Sequence, residues 1–547
     1  MNPRLQLQPT PAGSHQHQPG PGQPQRSASR LRSSFGIRYS SRNLACILAV
    51  TLIAVRAPAQ STNAPATLAE LQSRLTEQAA SPRFAAGTLG VKVISLDTGK
   101  ILFTNNAEKL LSPASNCKLY TVALALDKLG GDYRLGTSLY ATAATDAAGT
   151  LNGDLIIFGR GDPTINARLH DGSLDAALAP FVAALTNAGI KRITGDLIGD
   201  ESFFHNPPYG SGWDCDDLQY EYGAELSALT INDNLLTLSV KPGDRVGAPA
   251  RLALTPATSY VVLSNRTETV AKGGPRAIRL QRPLGQNVVY VFGTMPLGET
   301  NYTDDVTVHD PAGLFAALFR ETLARRGIQV EGRTRSLNWL DRQVQPLETA
   351  KLRELATIKS PPMRQIAREI QKPSQNLYTD LMLLHVGALA RTSNSPPTTT
   401  DEDLGIRELD KFLAKAGIKR GDVHFEEGSG LSRNNLTTPN ATIALLQFMS
   451  RHAEAEAYRN ALPIAGVDGT LRNRMKNTPA AGNVRAKTGT LRWASSLSGF
   501  VTTAAGERLV FSIMLNRYAT PDAQHTARGE IDRIAVLLAG FTGRSEP

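Results

Sequence analysis

Three short strings occur in a fixed order along the chain, and their spacing constrains the fold more than any other feature. Ser115-Asn116-Cys117-Lys118 (S-x-x-K) comes first, Ser374-Gln375-Asn376 (S-x-N) second and Lys487-Thr488-Gly489 (K-T-G) last. Each string alone is weak, because an S-x-x-K arises by chance about once or twice in a chain of this length. The ordered triple brings together two serines and two lysines, which suits the activation of a serine hydroxyl. We therefore expect one site assembled from three distant segments.

The long stretch between the first two strings predicts an inserted region. A chain of 547 residues favours roughly three domains, and positions 119–373 exceed what one compact domain needs between two parts of a site. From about 135 to 339, short β-rich runs alternate with Gly, Pro, Asn and Asp turns, whereas helices return beyond 352. We expect an α+β multidomain protein with a leader at 1–59, a catalytic domain in two parts, 62–134 and 341–545, and β-rich inserted domains over 135–340.

The first string is expected at the start of a buried helix. A β-hairpin is predicted over 89–104, after which Ser112 and Pro113 are typical of a helix N-cap and first helical position. Apolar residues from Leu119 to Leu129 nearly circle this helix, which indicates burial on all sides. Strands are predicted at 483–490, 497–502 and 508–516, so the third string lies on a strand.

The first 59 residues have the features of an export signal. Residues 1–43 are rich in Pro, Gln and Ser and are expected to be disordered. An apolar run, residues 44–55, is followed by Arg56 and by Ala57-Pro58-Ala59, so we expect cleavage near Ala59. This run is shorter than the roughly 20 residues that span a bilayer. We expect a periplasmic or extracytoplasmic protein, with membrane contact only if the signal stays as an uncleaved anchor.

Composition excludes several other classes of function. The formal charge is +10, but residues 1–59 hold seven arginines and no Lys, Asp or Glu, so the excess belongs largely to targeting and we expect no nucleic-acid partner. The nine histidines lack metal-ligand spacing, and we expect no metal and no cofactor. The three cysteines, Cys46, Cys117 and Cys215, do not make a disulfide framework. Cys117 is interpreted as a small core residue rather than as a nucleophile.

The spacing of the first string suits a serine nucleophile with a lysine base. Residues three apart on a helix share a face, so the Lys118 amine can approach the Ser115 hydroxyl and take its proton. Burial and nearby positive charge would lower the Lys118 pKa, and Lys487 is a candidate source of that charge. At the third helical position, the Ser115 backbone N–H lacks an intrahelical partner and can form half of an oxyanion hole.

The other two strings supply substrate contacts. If 487–490 forms an edge strand, Gly489 lets a substrate backbone approach and the Thr490 N–H completes the oxyanion hole. Lys487, Thr488 and Thr490 offer donors to a substrate carboxylate. Ser374 can relay a proton between Lys118 and the leaving amine, while Asn376 holds Lys118 and a substrate carbonyl. Taken alone, K-T-G would be read as a strand end and S-Q-N as a helix cap.

At these strings the chain resembles the class C low-molecular-mass penicillin-binding proteins, the D-alanyl-D-alanine carboxypeptidase/endopeptidase family. The similarity covers about residues 67–538, and it includes further strings at 155–163, 194–200, 213–218, 222–224, 428–433 and 462–472. Glu427 stands where the family's D-G-S-G-L string leads us to expect Asp. We regard this departure as distant from the nucleophile and compatible with activity.

The resemblance implies both a fold and a set of roles. The fold is a penicillin-recognising (β-lactamase/transpeptidase-like) domain, an antiparallel sheet flanked by helices and interrupted by β-rich insertions. Ser115 is implied as the acyl-ester nucleophile, Lys118 as the proton acceptor and Ser374 as the relay. Lys487 and its neighbours, with Asn376, are implied as substrate binders.

The leading interpretation is an exported serine D,D-peptidase that hydrolyses D-Ala-D-Ala termini, D-Ala cross-links of peptidoglycan, or both, through an acyl-serine intermediate. Its expected partners are peptidoglycan muropeptides and inhibitory β-lactams. Two alternatives stay open at this point. A serine β-lactamase would share the strings, and a non-catalytic cell-wall binding protein would be favoured only if a catalytic position were missing.

Overall fold

The computed structural model describes residues 64–546, and the predicted signal segment lies outside them. The helices, in chain order, are α1 Leu68–Ala79, α2 Cys117–Leu129, α3 Leu174–Asn187, α4 Pro311–Arg325, α5 Trp339–Val344, α6 Met363–Gln371, α7 Asn376–Ala390, α8 Asp401–Lys415, α9 Pro439–Met449, α10 Ala455–Ala461 and α11 Ala527–Ala539. Within residues 64–546 no helix has the length and apolar character needed to cross a membrane.

The strands follow the same numbering. They are β1 Thr88–Ser95, β2 Ile101–Asn105, β3 Gly136–Ala141, β4 Thr150–Leu151, β5 Leu155–Phe158, β6 Arg192–Ile193, β7 Leu197–Asp200, β8 Leu235–Lys241, β9 Arg251–Thr255, β10 Val262–Val270, β11 Ala277–Gln281, β12 Val288–Pro296, β13 Tyr302–Thr307, β14 Gln329–Val330, β15 Thr334–Leu337, β16 Arg353–Lys359, β17 Val423–His424, β18 Leu436–Thr437, β19 Arg485–Leu491, β20 Ala494–Thr502 and β21 Arg508–Asn516.

A five-stranded antiparallel sheet joins the two ends of the described chain. Its order is β19-β20-β21-β1-β2, so the K-T-G strand β19 lies at one edge, as the sequence predicts. The predicted hairpin β1-β2 is present, and the predicted strands β20 and β21 pair antiparallel. Helices cover both faces: α1 and α11 pack on one face in an apolar cluster that includes Phe511 and Ile534, and α2, α6 and α7 pack on the other with Phe500 and Val510.

Helix α2 forms the middle of the helical layer. All its residues from Cys117 to Leu126 are buried, in agreement with the apolar pattern that nearly circles it. The predicted N-cap at Ser112 is wrong, because Ala114 has a left-handed φ of 47° and a 3₁₀ turn, Ala114–Asn116, precedes the helix. Ser115 therefore lies in this turn rather than at the third helical position. The Ser112 backbone is held instead by the side chain of Asn516.

The region between the first and second strings is rich in strands, as expected. A mixed five-stranded sheet has the order β15-β7-β5-β3-β16, and smaller three-stranded sheets are β10-β12-β11, β13-β8-β9 and β14-β6-β4. Helices α3 and α4 pack through Phe181, Phe315 and Phe319 within a separate apolar core. The predicted domain boundaries stay predictions. Strand β16, which lies beyond residue 340, is hydrogen-bonded to β3 and so extends this sheet past the predicted boundary.

Candidate active site

The three strings meet at the edge of the five-stranded sheet. Ser115 precedes α2, Ser374 lies in the turn between α6 and α7, and Lys487 lies on β19. Ser374 has a φ of 70°, and a left-handed backbone is uncommon for residues other than glycine. Ala114, directly before Ser115, is also left-handed. Ser374 therefore has an unusual backbone conformation itself, and Ser115 follows a residue that has one. Left-handed backbone at residues other than glycine is common in active sites, where the surrounding structure holds it in place.

The amine of Lys118 contacts three oxygen atoms. Its Nζ lies 2.9 Å from Ser115 Oγ, 2.6 Å from Asn376 Oδ1 and 2.6 Å from the backbone oxygen of Ser429. The Asn376 amide nitrogen donates to the Tyr222 carbonyl at 2.9 Å, which fixes Oδ1 toward the lysine. Asn376 Oδ1 and the Ser429 carbonyl can only accept, so they occupy both N–H groups of a neutral amine. The remaining lone pair then faces the Ser115 hydroxyl.

Burial is the main influence on Lys118. Its side chain is fully buried, and burial lowers its pKa to about 8, while the negative charges of Asp380 and Glu427 oppose this shift. Burial is the cause that the sequence predicts, whereas Lys487, the candidate source of positive charge, is not among the groups that shift the Lys118 pKa. Burial lowers the pKa of Lys487 well below its ordinary value as well, and the positive charge of Lys118 adds to that effect.

Lys487 holds the second serine. Its Nζ donates to Ser374 Oγ at 2.7 Å and to the Thr488 carbonyl at 2.8 Å. Among residues 64–546, no hydrogen bond joins Ser374 to Lys118, so the contact needed for the expected relay between these two groups is not present. Ser374 is instead oriented by the lysine of the third string.

Gly489 is required where β19 meets the turn that carries Ser115. A Cβ at this position would collide with the backbone oxygen of Pro113 and would lie 3.1 Å from the Ser115 nitrogen. The turn is tied to the sheet by two further contacts, from Ser496 Oγ to the Pro113 carbonyl at 2.6 Å and from Asn116 Nδ2 to Ser498 Oγ at 2.8 Å. The absence of a side chain at Gly489 therefore allows the strand and the nucleophile turn to lie in contact.

The remaining predicted residues lie at the same edge. Thr490 is exposed and Thr488 is nearly buried. The Thr488 hydroxyl lies 2.8 Å from that of Thr470, a contact the sequence did not predict. Ser429, Tyr222 and Asp380 were also missed as site residues, although the strings at 222–224 and 428–433 carried the resemblance. Glu427 is nearer to the site than expected, because its charge acts on Lys118.

Cys117 is a core residue, as the sequence predicts. Its side chain is buried and accepts a long contact from Asn435 Nδ2 at 3.4 Å, and burial raises the pKa of its thiol well above the ordinary value. A thiol with a raised pKa is a poor nucleophile. Cys215 is exposed, and both cysteines are free.

An S-x-x-K turn, an S-x-N turn and a K-T-G edge strand that meet on an antiparallel sheet define the class of penicillin-recognising serine enzymes. Residues 71–538 match the D-Ala-D-Ala carboxypeptidase 3 (S13) family, and the chain belongs to that family. The resemblance noted from the sequence is thereby confirmed.

Individual relatives agree with this assignment. A D-alanyl-D-alanine carboxypeptidase of Actinomadura sp. (strain R39) is 32% identical over 531 residues, which are 94% of this chain and 93% of the relative. The crystal structure of penicillin binding protein 4 (dacB) from Haemophilus influenzae has a TM-score of 0.70 at 24% identity and covers 85% of this chain and 97% of its own. A second structure of that protein, complexed with a β-lactam, has a TM-score of 0.65 at 24% identity, with the same coverage.

The fold class and the enzyme class predicted from the sequence are therefore confirmed. The protein is a serine-type D-Ala-D-Ala carboxypeptidase with a penicillin-recognising domain and β-rich insertions. The alternative of a non-catalytic binding protein is set aside, and membership of the carboxypeptidase family also disfavours a β-lactamase.

Proposed function

We propose that this carboxypeptidase is an exported D,D-peptidase that acts on peptidoglycan through an ester at Ser115 and that binds penicillin at the same serine. The observation that carries the proposal is the position of the Lys118 amine. Asn376 Oδ1 and the Ser429 carbonyl accept hydrogen bonds from its two N–H groups. Its lone pair then faces the Ser115 hydroxyl, and the Lys118 Nζ to Ser115 Oγ distance is 2.9 Å. A serine with a neutral amine at this distance has the general base that nucleophilic attack requires.

The acylation step follows from these contacts. Ser115 Oγ bonds to the carbonyl carbon of the penultimate D-Ala while its proton moves to Lys118 Nζ. The carbonyl oxygen gains negative charge, and we propose that the N–H groups of Ser115 and Thr490 stabilise it. The C–N bond then breaks, the amine of the terminal residue leaves with a proton, and water later hydrolyses the ester to restore Ser115.

Ser374 is the proposed donor to the leaving amine. Because Lys487 donates a hydrogen bond to Ser374 Oγ, the serine O–H is left to point away from Lys487. The proton that Lys118 gains from Ser115 would reach the amine through Ser374 if substrate binding brings the Lys118 amine and the Ser374 hydroxyl into contact. Asn376 keeps Lys118 in place during this transfer and can contact a substrate carbonyl if the bond to Tyr222 opens.

The substrate carboxylate is proposed to bind at Lys487, Thr488 and Thr490. Burial holds the pKa of Lys487 well below its ordinary value, but an opposite charge beside an amine favours its protonated form. An incoming carboxylate would therefore restore the charge that recognises it. This preference suits the free carboxylate of a terminal D-Ala, of a cross-linking diamino acid or of a penicillin.

An assay with purified muropeptides tests the proposed substrate class. We expect the protein to release D-Ala from a pentapeptide muropeptide, to split a D-Ala cross-linked dimer, or both, with Ser115→Ala inactive in either reaction. Failure of the wild-type protein on both substrates, or equal activity of the Ser115→Ala variant, would contradict the proposal. The ratio of the two rates measures the balance between carboxypeptidase and endopeptidase activity.

Export is a separate part of the proposal and rests on the apolar run and the Ala57-Pro58-Ala59 string. N-terminal sequencing of the protein recovered from the envelope fraction tests it. A new N-terminus near residue 60 supports cleavage. An intact leader in the membrane fraction would indicate an anchor, and recovery from the cytoplasm alone would contradict export.

A further inference from the structure

Two buried carboxyl groups lie behind the catalytic lysine, and the proposed steps do not use them. Asp380 lies on α7, one helical turn after Asn376, and Glu427 begins the loop 427–430. Both side chains are buried, with exposures of 2% and 0%. Burying a carboxyl group is costly unless it is paired and hydrogen-bonded. Their position beside Lys118 therefore needs an explanation.

The first part of the explanation is the loop itself. Asp380 Oδ1 accepts from the Gly428 N–H at 2.9 Å, and the Gly428 carbonyl accepts from Thr121 Oγ1 of α2 at 2.8 Å. The next residue, Ser429, places its carbonyl 2.6 Å from Lys118 Nζ. Gly430 follows with a φ of 84°, and a Cβ there would collide with the backbone of Ala114. The loop is thus clamped between α7 and the turn that carries Ser115.

Glu427 completes the clamp from within the loop. One carboxylate oxygen accepts from the Gly430 N–H at 2.7 Å and from Asn435 Nδ2 at 2.5 Å. The other accepts from the Ser429 N–H at 2.9 Å and from the Ser429 hydroxyl. The three N–H partners donate, and the Ser429 hydroxyl can do so too, so the Glu427 carboxylate serves as the acceptor at the centre of the loop. The Ser432 N–H adds a fifth, longer contact at 3.4 Å, and a neutral amide could not satisfy all five donors.

Asp380 differs from Glu427 in one respect. Its second oxygen, Oδ2, is buried and has no hydrogen-bond partner within the part of the chain that the structure describes. A structural clamp for Gly428 needs only one oxygen, which an asparagine would also provide. Burial, together with the charge of Glu427, raises the pKa of this carboxyl well above its ordinary value, whereas the positive charge of Lys118 lowers it, so Asp380 and Lys118 act on each other.

We propose that Asp380 and Glu427 are positioning residues for acylation: they hold the Ser429 carbonyl against the Lys118 amine and place negative charge beside it. This inference rests on the proposed role of Lys118 as the base. The charged and titratable groups that face this cluster are Lys487 from β19, Glu402 from α8 and Cys117 from α2. Within residues 64–546, the carboxyl groups that act on Lys118 are that of Glu427 in the loop and that of Asp380 on α7.

A comparison of the two buried lysines supports the proposal. Both are fully buried, but the pKa of Lys118 falls only to about 8, opposed by Asp380 and Glu427, whereas that of Lys487 falls well below its ordinary value without an opposing carboxylate. The pair of carboxyl groups therefore distinguishes the lysine that exchanges the serine proton from the lysine that awaits an anionic substrate.

The test is the pH dependence of acylation by a chromogenic β-lactam in Asp380→Asn, which keeps the acceptor for Gly428 and removes only the charge. We expect the midpoint of the rising limb to move down by about 1 pH unit. Glu427→Gln should lower the midpoint too and should also reduce the plateau rate, because its amide nitrogen faces donors. The exposed Asp410→Asn on α8 is the matched control and should leave the midpoint unchanged.

Thermal unfolding shows whether Asp380→Asn and Glu427→Gln are folded. One folded variant of the two is enough to test the proposal. A reduced plateau with an unmoved midpoint would overturn the inference and leave a purely structural role. The same result in the control as in Asp380→Asn would overturn it as well. Failure of the underlying mechanism has a different signature, because wild-type protein would then not acylate at Ser115 at any pH.

Discussion

The amide oxygen of Asn376 lies 2.6 Å from the Nζ of Lys118, so the second string of the sequence holds the base supplied by the first. The contact joins residues 258 positions apart. Lys118 is fully buried, and burial favours the neutral form of its amine over the charged form. The geometry of acylation therefore depends on how α2 and α7 pack, as well as on the motif residues themselves.

Replacement of Lys118 by arginine should slow acylation strongly without unfolding the protein. A guanidinium stays charged near neutral pH and cannot take the Ser115 proton. We expect the rate of acylation by a chromogenic β-lactam to fall by about 10²–10⁴-fold. Stopped-flow kinetics measure the rate, and circular dichroism shows whether the fold is kept. Near-wild-type acylation in the folded variant would exclude Lys118 as the base.

The wild-type acylation rate should rise with pH and level off above about 8. The base acts in its neutral form, and the Lys118 pKa is lowered to about 8, so the neutral fraction grows as the pH passes through that value. Rates measured across this range at constant ionic strength test the prediction. A rate that falls as the pH rises from 6 to 8 would be inconsistent with a lysine base.

Gly489→Ala should slow acylation strongly. Its Cβ would press against the Pro113 carbonyl and lie 3.1 Å from the Ser115 nitrogen, so the turn or β19 must shift. Displacement of a nucleophile by about 1 Å can cost 10²-fold in rate. Gly540→Ala is the matched control, because the closest atom its Cβ meets is 3.4 Å away. Equal rates in the two variants would show that close contact at Gly489 is not required.

Lys487→Met should stabilise the protein at pH 7 while it impairs acylation. The pKa of Lys487 is lowered on folding, so the unfolded chain binds more protons and the lysine costs stability below its unfolded pKa of about 10.4. We expect a higher melting temperature at pH 7 and a smaller gain as the pH approaches that value. The exposed Lys272→Met is the control. A lower melting temperature at pH 7 would show that the contacts to Ser374 and Thr488 outweigh burial.

The sequence predicted the main features of the site because its signals are local. The i, i+3 spacing of Ser115 and Lys118 and the edge strand at Lys487 follow from one turn and one strand. The nucleophile turn was predicted less well, since the left-handed φ of Ala114 replaces the expected cap at Ser112. The apolar pattern around α2 also predicted burial of Cys117.

The loop behind Lys118 could not be predicted in the same way. Ser429 lies 311 positions from Lys118 in the chain, and its carbonyl reaches the amine because Thr121 of α2 and Asp380 of α7 both hold the neighbouring Gly428. Asp380 is the single acidic residue of α7, a pattern that indicates neither a role nor a partner. Glu427 departs from the family's string in the sequence, but its distance from the site depends on tertiary structure.

The most direct test of the central claim is the time-resolved intact mass of the mature protein with a labelled penicillin, followed by peptide mapping. The account predicts one persistent adduct on Ser115 in the wild-type protein and none in Ser115→Ala. An adduct on another residue, or one that forms equally in the variant, would contradict Ser115 as the nucleophile. The absence of any adduct on folded wild-type protein would contradict the proposed binding of penicillin.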